Sequence, residues 1–169
     1  ATNILKSNLA SIITSIGLDH LDWLPDDEQN VEKIIFEKTS ALLKSNIIVA
    51  KQSNNEITDC IKKTISNNNS NKFFHNENYS FVFKENNFFY YEDHFGGIKL
   101  PIPNIKGQFQ LENISTAIAT LRTLKNFDIK DEYIQKGITK ISSFARLQEI
   151  KSGKLKKLIK NNQLFVDGS

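Results

Sequence analysis

Lys38 is the residue whose position in this sequence most invites a chemical explanation. Counted from Val31, Ile34 and Ile35, it falls on the apolar face of a helix. A lysine held there loses solvation, which disfavours its charged form. The neutral amine is a nucleophile, and it can take up carbon dioxide to give a carbamate, an anion able to hold a metal. A lysine whose stem packs while its head reaches water has the same spacing. His20 lies between Asp19 and Asp22 in the stretch Gly17 to Pro25 (GLDHLDWLP). A histidine flanked by carboxylates can ligate a metal or act as a general base, and the same three residues also suit an ordinary loop with capping aspartates. The only arginines are Arg122 and Arg146, set in a lysine background. An arginine is therefore an informative choice, because its planar fork gives bidentate bonds that lysine cannot. His75 and His94 lie among aromatic residues and read as surface histidines. Cys60 sits on the polar side of a helix beside lysines, with nothing near it to activate a thiol.

These residues need elements to position them. Leu9 to Ile16 (LASIITSI) is an apolar run bounded by polar residues and Gly17, which suits a buried strand. The His20 segment is then a loop at that strand's exit, where open α/β sheets bind ligands. Asp26 or Asp27 caps a helix that runs to about Leu43. Asn46 to Ala50 (NIIVA) is a second buried strand, and Glu56 to Ser66 a helix with Ile57, Ile61 and Ile65 at spacing four. This alternation predicts parallel strands with right-handed crossovers. From Phe73 to Leu100, short aromatic runs separated by Asn-rich turns and Gly96-Gly97 predict antiparallel hairpins. Helices follow from about Gln110 to Leu124 and from Asp131 to Thr139. Ser142 to Ile150 reads as an extended linker, Lys151 to Lys160 as basic and polar, and Leu164 to Val166 as a closing strand.

With 169 residues and 39% hydrophobic residues, the chain can build a real core. No run approaches the 18 apolar residues of a membrane span, and no basic-then-apolar leader is visible. The net charge of +3, from 22 basic and 19 acidic residues, is too small to argue for nucleic acid. A single cysteine cannot form an internal disulfide, so a reducing compartment is expected. Lys, Asn and Ile dominate, and the asparagine runs read first as compositional drift. There is no methionine, and Leu164 to Ser169 reads as a strand leaving into a turn, so the chain is expected to be a piece of a longer protein. It contains no G-x-x-x-x-G-K-[ST] phosphate loop.

ATNI at the start, TSIGLDHLDWL (Thr14 to Leu24), IIFEKTSAL (Ile34 to Leu42), KGQFQLENISTAIATL (Lys106 to Leu121), ARLQ (Ala145 to Gln148) and FVDGS (Phe165 to Ser169) occur in this order. The series resembles the central ATPase domain of folylpolyglutamate synthase and dihydrofolate synthase, in the Mur ligase superfamily, over nearly the whole chain. The resemblance implies an α/β fold: residues 1–142 as the later part of a P-loop-type ATPase domain, its mainly parallel sheet flanked by helices, with an antiparallel hairpin excursion at about 73–100. Residues 143–169 would be the interdomain linker and first strand of a glutamate-ligase C-terminal domain.

The activity implied is that of an ATP-dependent ligase joining L-glutamate to dihydropteroate or a folate through an acyl phosphate, with ATP and Mg2+ as cofactors, acting as a cytoplasmic monomer with neither nucleic acid nor membrane as partner. His20 matches the family's magnesium-binding histidine, and Lys38 the lysine that becomes carbamylated and supports a second magnesium. Asn113 matches the asparagine that reads the adenine edge, Arg146 a phosphate-contacting arginine and Asp167 a nucleotide-contacting aspartate. Gln110, Asn113 and Ala117 share a helix face opposite the apolar one, a small-sided slot for a flat base. Thr39-Ser40 and Phe144-Ala145 depart from the family's Ala-Gly and Pro-Gly. The alternatives are a fragment of a cell-wall Mur-type ligase and a non-catalytic nucleotide-binding or decayed pseudo-enzyme.

Overall fold

The computed structural model describes residues 5–17, 25–40, 42–84 and 88–168. The segment 18–24 with His20, and Ser169, lie outside the described residues. Along the chain β1 (Ala10–Ile13), α1 (Val31–Thr39), β2 (Asn46–Val49), α2 (Asn55–Thr64) and β3 (Lys72–Phe74) alternate. The three strands form a parallel sheet in the order β1-β2-β3, with Ala10 beside Asn46 and Ile47 beside Lys72. β2 is apolar without alternation because it is covered on both faces. Ile47 and Val49 pack with Ile34 and Ile35 of α1 and with Ile57 and Ile61 of α2. Ile48, between them, faces the other way, into a cluster with Phe89, Tyr91, Leu111 and Ile118.

The helix ends correct the sequence reading. Asn30, rather than Asp26 or Asp27, caps α1, its side chain accepting from the Lys33 N–H at 2.8 Å. Residues Asp26–Glu28 form a separate 3-10 turn. α1 stops at Thr39, short of Leu43. There the Thr39 hydroxyl donates to the Ile35 carbonyl at 2.7 Å and Ser40 to that of Glu37 at 3.0 Å. Hydroxyls that compete for helical carbonyls weaken the helix's continuation. Asn54 caps α2 by accepting from the Ile57 N–H at 2.9 Å, and Asn78 accepts from the Phe74 N–H at 2.8 Å. Several asparagines that composition explains as drift thus close helix starts and turns.

β4 (Tyr79–Lys84), β5 (Phe88–Asp93) and β6 (Gly96–Pro101) form the antiparallel sheet the aromatic runs predict. In β5 the pleat turns Phe89 and Tyr91 inward and Phe88 and Tyr90 outward. Gly96, at φ 110°, follows the tight turn between β5 and β6, where a side chain would be strained. Phe73 and Phe74 are not part of these hairpins: they belong to β3, where Phe74 is buried with Ile57 and Ile61. α3 (Gln108–Thr123) and α4 (Asp131–Ile138) supply Leu111, Ile114, Ile118, Ile134 and Ile138 to the cluster beneath the antiparallel sheet. Arg122 has a structural place, donating to the Gly96 carbonyl at 3.1 Å and standing 3.4 Å from the Asp93 carboxylate, with little of either side chain exposed.

The expected extended linker is instead a compact turn. Ala145 (φ 52°) and Leu147 (φ 47°) are left-handed, and β7 (Gln148–Glu149) follows at once. The basic segment holds a short helix, α5 (Lys154–Leu158), before β8 (Phe165–Val166) pairs antiparallel with β7. The fold class is the expected α/β one, with a parallel sheet, an antiparallel sheet and flanking helices.

Candidate functional site

The carboxyl edge of the parallel sheet gathers polar groups from elements far apart in sequence. After β2, Gln52 accepts from the Ile16 N–H at 2.9 Å and donates to the carbonyls of Ala50 (2.8 Å) and Thr14 (3.3 Å), tying the exits of β1 and β2 together. Lys51, next to it, forms an ion pair with Glu112 of α3 at 2.8 Å. At the other end of α3, Asn46, which begins β2, donates to the Thr123 carbonyl at 3.0 Å. α3 therefore runs antiparallel to β2, with its N-terminal half at the edge where open α/β sheets hold ligands.

His75 leaves β3 at the same edge, its N–H donating to the Val49 carbonyl at 3.1 Å. Its ring meets Tyr79 edge-on at 5.4 Å and Phe81 at 5.6 Å. Both ring nitrogens are buried and have no hydrogen-bond partner among the described residues. Burial, then the charge of Lys51, hold the imidazole below its ordinary value, with Glu112 opposing. The Tyr79 hydroxyl donates to Val49 O at 2.9 Å and lies 3.2 Å from the Thr116 hydroxyl. Burial pushes Tyr79 up to about 12, so it stays neutral. His75 is thus not the surface residue that the sequence suggests. Its setting depends on Lys51 and Glu112, which stand 61 residues apart in the chain, and local spacing cannot show that.

The residues singled out in the sequence are placed unevenly. Asn113 is exposed on α3, one residue beyond Glu112, and its side chain has no hydrogen bond among the described residues. Phe109, Asn113, Ala117 and Leu121 make an exposed stripe at spacing four, while Gln110, expected on that face, is buried. Lys38 is exposed, and the residue α1 turns inward in its last turn is Thr39. This corrects the expected burial of Lys38 and matches the reading in which the lysine head reaches water. Where Lys38 stands relative to His20 lies outside the described residues.

Arg146 and Asp167 lie at one end of the paired strands β7 and β8. Gln148 pairs with Val166, and the Gly168 N–H donates to the Ala145 carbonyl at 2.7 Å. Both residues are exposed, and neither is paired among the described residues. Arg146 lines a cleft of about 540 Å³ with Lys106, Lys140 and Lys151. Lys106 there is held by Glu149 at 3.2 Å. Lys106 and Gly107 lead directly into α3, so this cationic cleft flanks the start of the helix that carries Asn113. Such a volume suits a small ligand, and the lysines and arginine favour an anionic one.

No family model matches the chain. It is 29% identical over 166 residues to the dihydrofolate synthase/folylpolyglutamate synthase of Haemophilus influenzae, a match covering 94% of this chain and 34% of that protein. The chain thus spans about a third of the length of this curated relative. Among solved structures it matches E. coli FolC in complex with DHPP and ADP, with a TM-score of 0.74 and 21% identity over 95% of this chain and 34% of that one. It matches the apo form of L. casei FPGS with a TM-score of 0.73 and 18% identity over 95% of this chain and 38% of that one. Over nearly its whole length, then, the chain is similar in sequence to a dihydrofolate synthase/folylpolyglutamate synthase and has the fold seen in FolC and FPGS, as the ordered motifs of the sequence led us to expect.

Proposed function

We propose that the protein carrying this chain is an ATP-dependent carboxylate–amine ligase that joins L-glutamate to dihydropteroate or a folate. The observation that carries this reading is the 94% of the chain that aligns with a dihydrofolate synthase/folylpolyglutamate synthase. In the reaction a substrate carboxylate oxygen attacks the terminal phosphorus of ATP and ADP leaves. The glutamate amine then attacks the acyl carbon, phosphate departs and the amine loses a proton. The acyl phosphate is needed because a carboxylate is a poor acyl donor at neutral pH.

The chain's own residues would bind and orient. The exposed stripe with Asn113 offers a flat face and one amide for the adenine edge. Arg146, unpaired among the described residues beside a lysine-lined cleft, would take phosphate oxygens in bidentate fashion. Asp167, at the same end of the β7–β8 pair, would accept from the nucleotide's hydroxyls. The bound ADP of E. coli FolC supports nucleotide binding in this fold. The resemblance assigns magnesium to His20 and to a carbamate on Lys38. Among the described residues no group of three or more His, Cys, Asp or Glu side chains can hold a metal. His20 lies outside the described residues, and magnesium carries no step here. We place the protein in the cytoplasm as a monomer working on small molecules. No described helix is long and apolar enough to cross a membrane.

The test is incorporation of labelled glutamate by the purified protein that carries this chain. The expected result is one ADP and one amide product per turnover, dependent on dihydropteroate or a folate. Nucleotide binding without any glutamate incorporation would favour the non-catalytic module, and use of a cell-wall precursor would favour a Mur-type ligase.

A further inference from the structure

We propose that Glu149 gates the cationic cleft beside Arg146, holding Lys106 in an ion pair that an oligophosphate chain displaces in order to bind. The proposal rests on the phosphate reading of Arg146 and adds the groups that admit or refuse the ligand. The cleft, of about 540 Å³, is lined by Lys106 ahead of α3, by Lys140 just beyond α4, and by Arg146, Glu149 and Lys151 around β7. Lys140, Arg146 and Lys151 are exposed and have no partner among the described residues. Lys106 differs from them. Its Nζ donates to the Glu149 carboxylate at 3.2 Å and stands 4.3 Å from the centre of the Phe165 ring.

The turn that carries Arg146 is set before any ligand arrives. Arg146 is bracketed by Ala145 at φ 52° and Leu147 at φ 47°, left-handed conformations that cost energy and persist only where contacts fix them. The Ala145 N–H donates to Gln148 Oε1 at 3.0 Å, and its carbonyl accepts from the Gly168 N–H at 2.7 Å. Four cations face one carboxylate across the cleft. That surplus suits a chain of several phosphates better than a single one. With the ion pair intact, such a chain meets three free cations and the repulsion of Glu149. The pair is half open to water, its side chains 47% and 25% exposed, and an ion pair so placed is weak enough to exchange. The Phe165 face keeps the ammonium at the cleft wall when Glu149 lets go. The ligand class is an oligophosphate, free or as the triphosphate of a nucleotide.

The test is titration calorimetry of the 169-residue chain with tripolyphosphate, in magnesium-free buffer at fixed ionic strength. Glu149→Gln should tighten binding about threefold to tenfold, because it removes both the competitor for Lys106 and the repulsion of the ligand. In a Lys106→Met background the same change removes only the repulsion, so its gain should be about threefold smaller. Equal gains in the two backgrounds, or no gain with Lys106 present, would overturn the gate and leave the phosphate reading of Arg146 standing. No tripolyphosphate binding by any of the four proteins would overturn both. ATP titrated alongside separates the two sources of the ligand. Tighter binding of ATP than of tripolyphosphate, with the same gain in Glu149→Gln, assigns the gate to a nucleotide. Equal binding with that gain supports the gate for the phosphate chain itself and counts against the Asn113 stripe as a base site.

Discussion

Arg146 is a residue of the candidate site at which binding can be separated from folding. It is exposed and has no partner among the described residues, so Arg146→Lys should leave thermal stability unchanged. If Arg146 grips phosphate through its fork, losing one charge-assisted bond should cost about tenfold to a hundredfold in kcat/KM of the full ligase. Equal activity in the lysine variant would remove Arg146 from the site. His75 gives the opposite case, a titration written into stability. Its folded value lies below the ordinary one of 6.5, so the unfolded chain binds the proton first. Its contribution is intact above 6.5 and is lost as pH falls towards and through the lower folded value. Denaturation midpoints measured from pH 8 to 5 should therefore fall on the acid side, and His75→Gln should flatten that part of the profile. An unaltered profile in the variant would show that the imidazole is not desolvated. Arg146 was singled out in the sequence because arginine is scarce in this chain. His75 was not, because its environment is assembled by β2 and α3, and Lys38 misled because periodicity names a face without saying what covers it.

Among the elements, the buried strands were the most legible. Ile-rich runs such as Asn46 to Ala50 carry no alternation, and only a strand covered on both faces requires that. β3 escaped because Phe73-Phe74 has the same aromatic signature as β5, and only packing against α2 tells a parallel partner from a hairpin arm. Helix ends escaped because the caps are asparagines in an asparagine-rich chain. Asn30→Ala and Asn54→Ala should each lower unfolding free energy by about 1 kcal/mol, since each removes one side-chain acceptor from a helix N-terminus. Asn→Asp at either site should restore most of it, since aspartate caps as well and also favours the helix dipole. Chemical denaturation checks both. A loss under a few tenths of a kcal/mol in both alanine variants would show that these caps are not what starts α1 and α2.

At the scale of the molecule, two apolar clusters share one strand. Ile47 and Val49 belong to the cluster under α1 and α2, and Ile48 to the one formed with α3, α4 and the antiparallel sheet. Neither cluster can lose β2 and stay closed, so the two layers should unfold as one unit. Two probes report on them separately. Tyr79 and Tyr91 lie in the Ile48 cluster, and Cys60, on α2, packs against the other. Tyrosine absorbance and the labelling rate of the Cys60 thiol should therefore give the same denaturation midpoint. Ile48→Ala should cost about 2–5 kcal/mol, the usual range for truncating a fully buried isoleucine. It should also shift the Cys60 probe by as much as the tyrosines, although Ile48 faces away from α2. If Ile48→Ala moved only the tyrosine signal, the antiparallel sheet with α3 would be a separately folding layer. The polar groups of the carboxyl edge, with His75 at the exit of β3 and Glu112 on α3, would then have to assemble across a joint rather than within one rigid body.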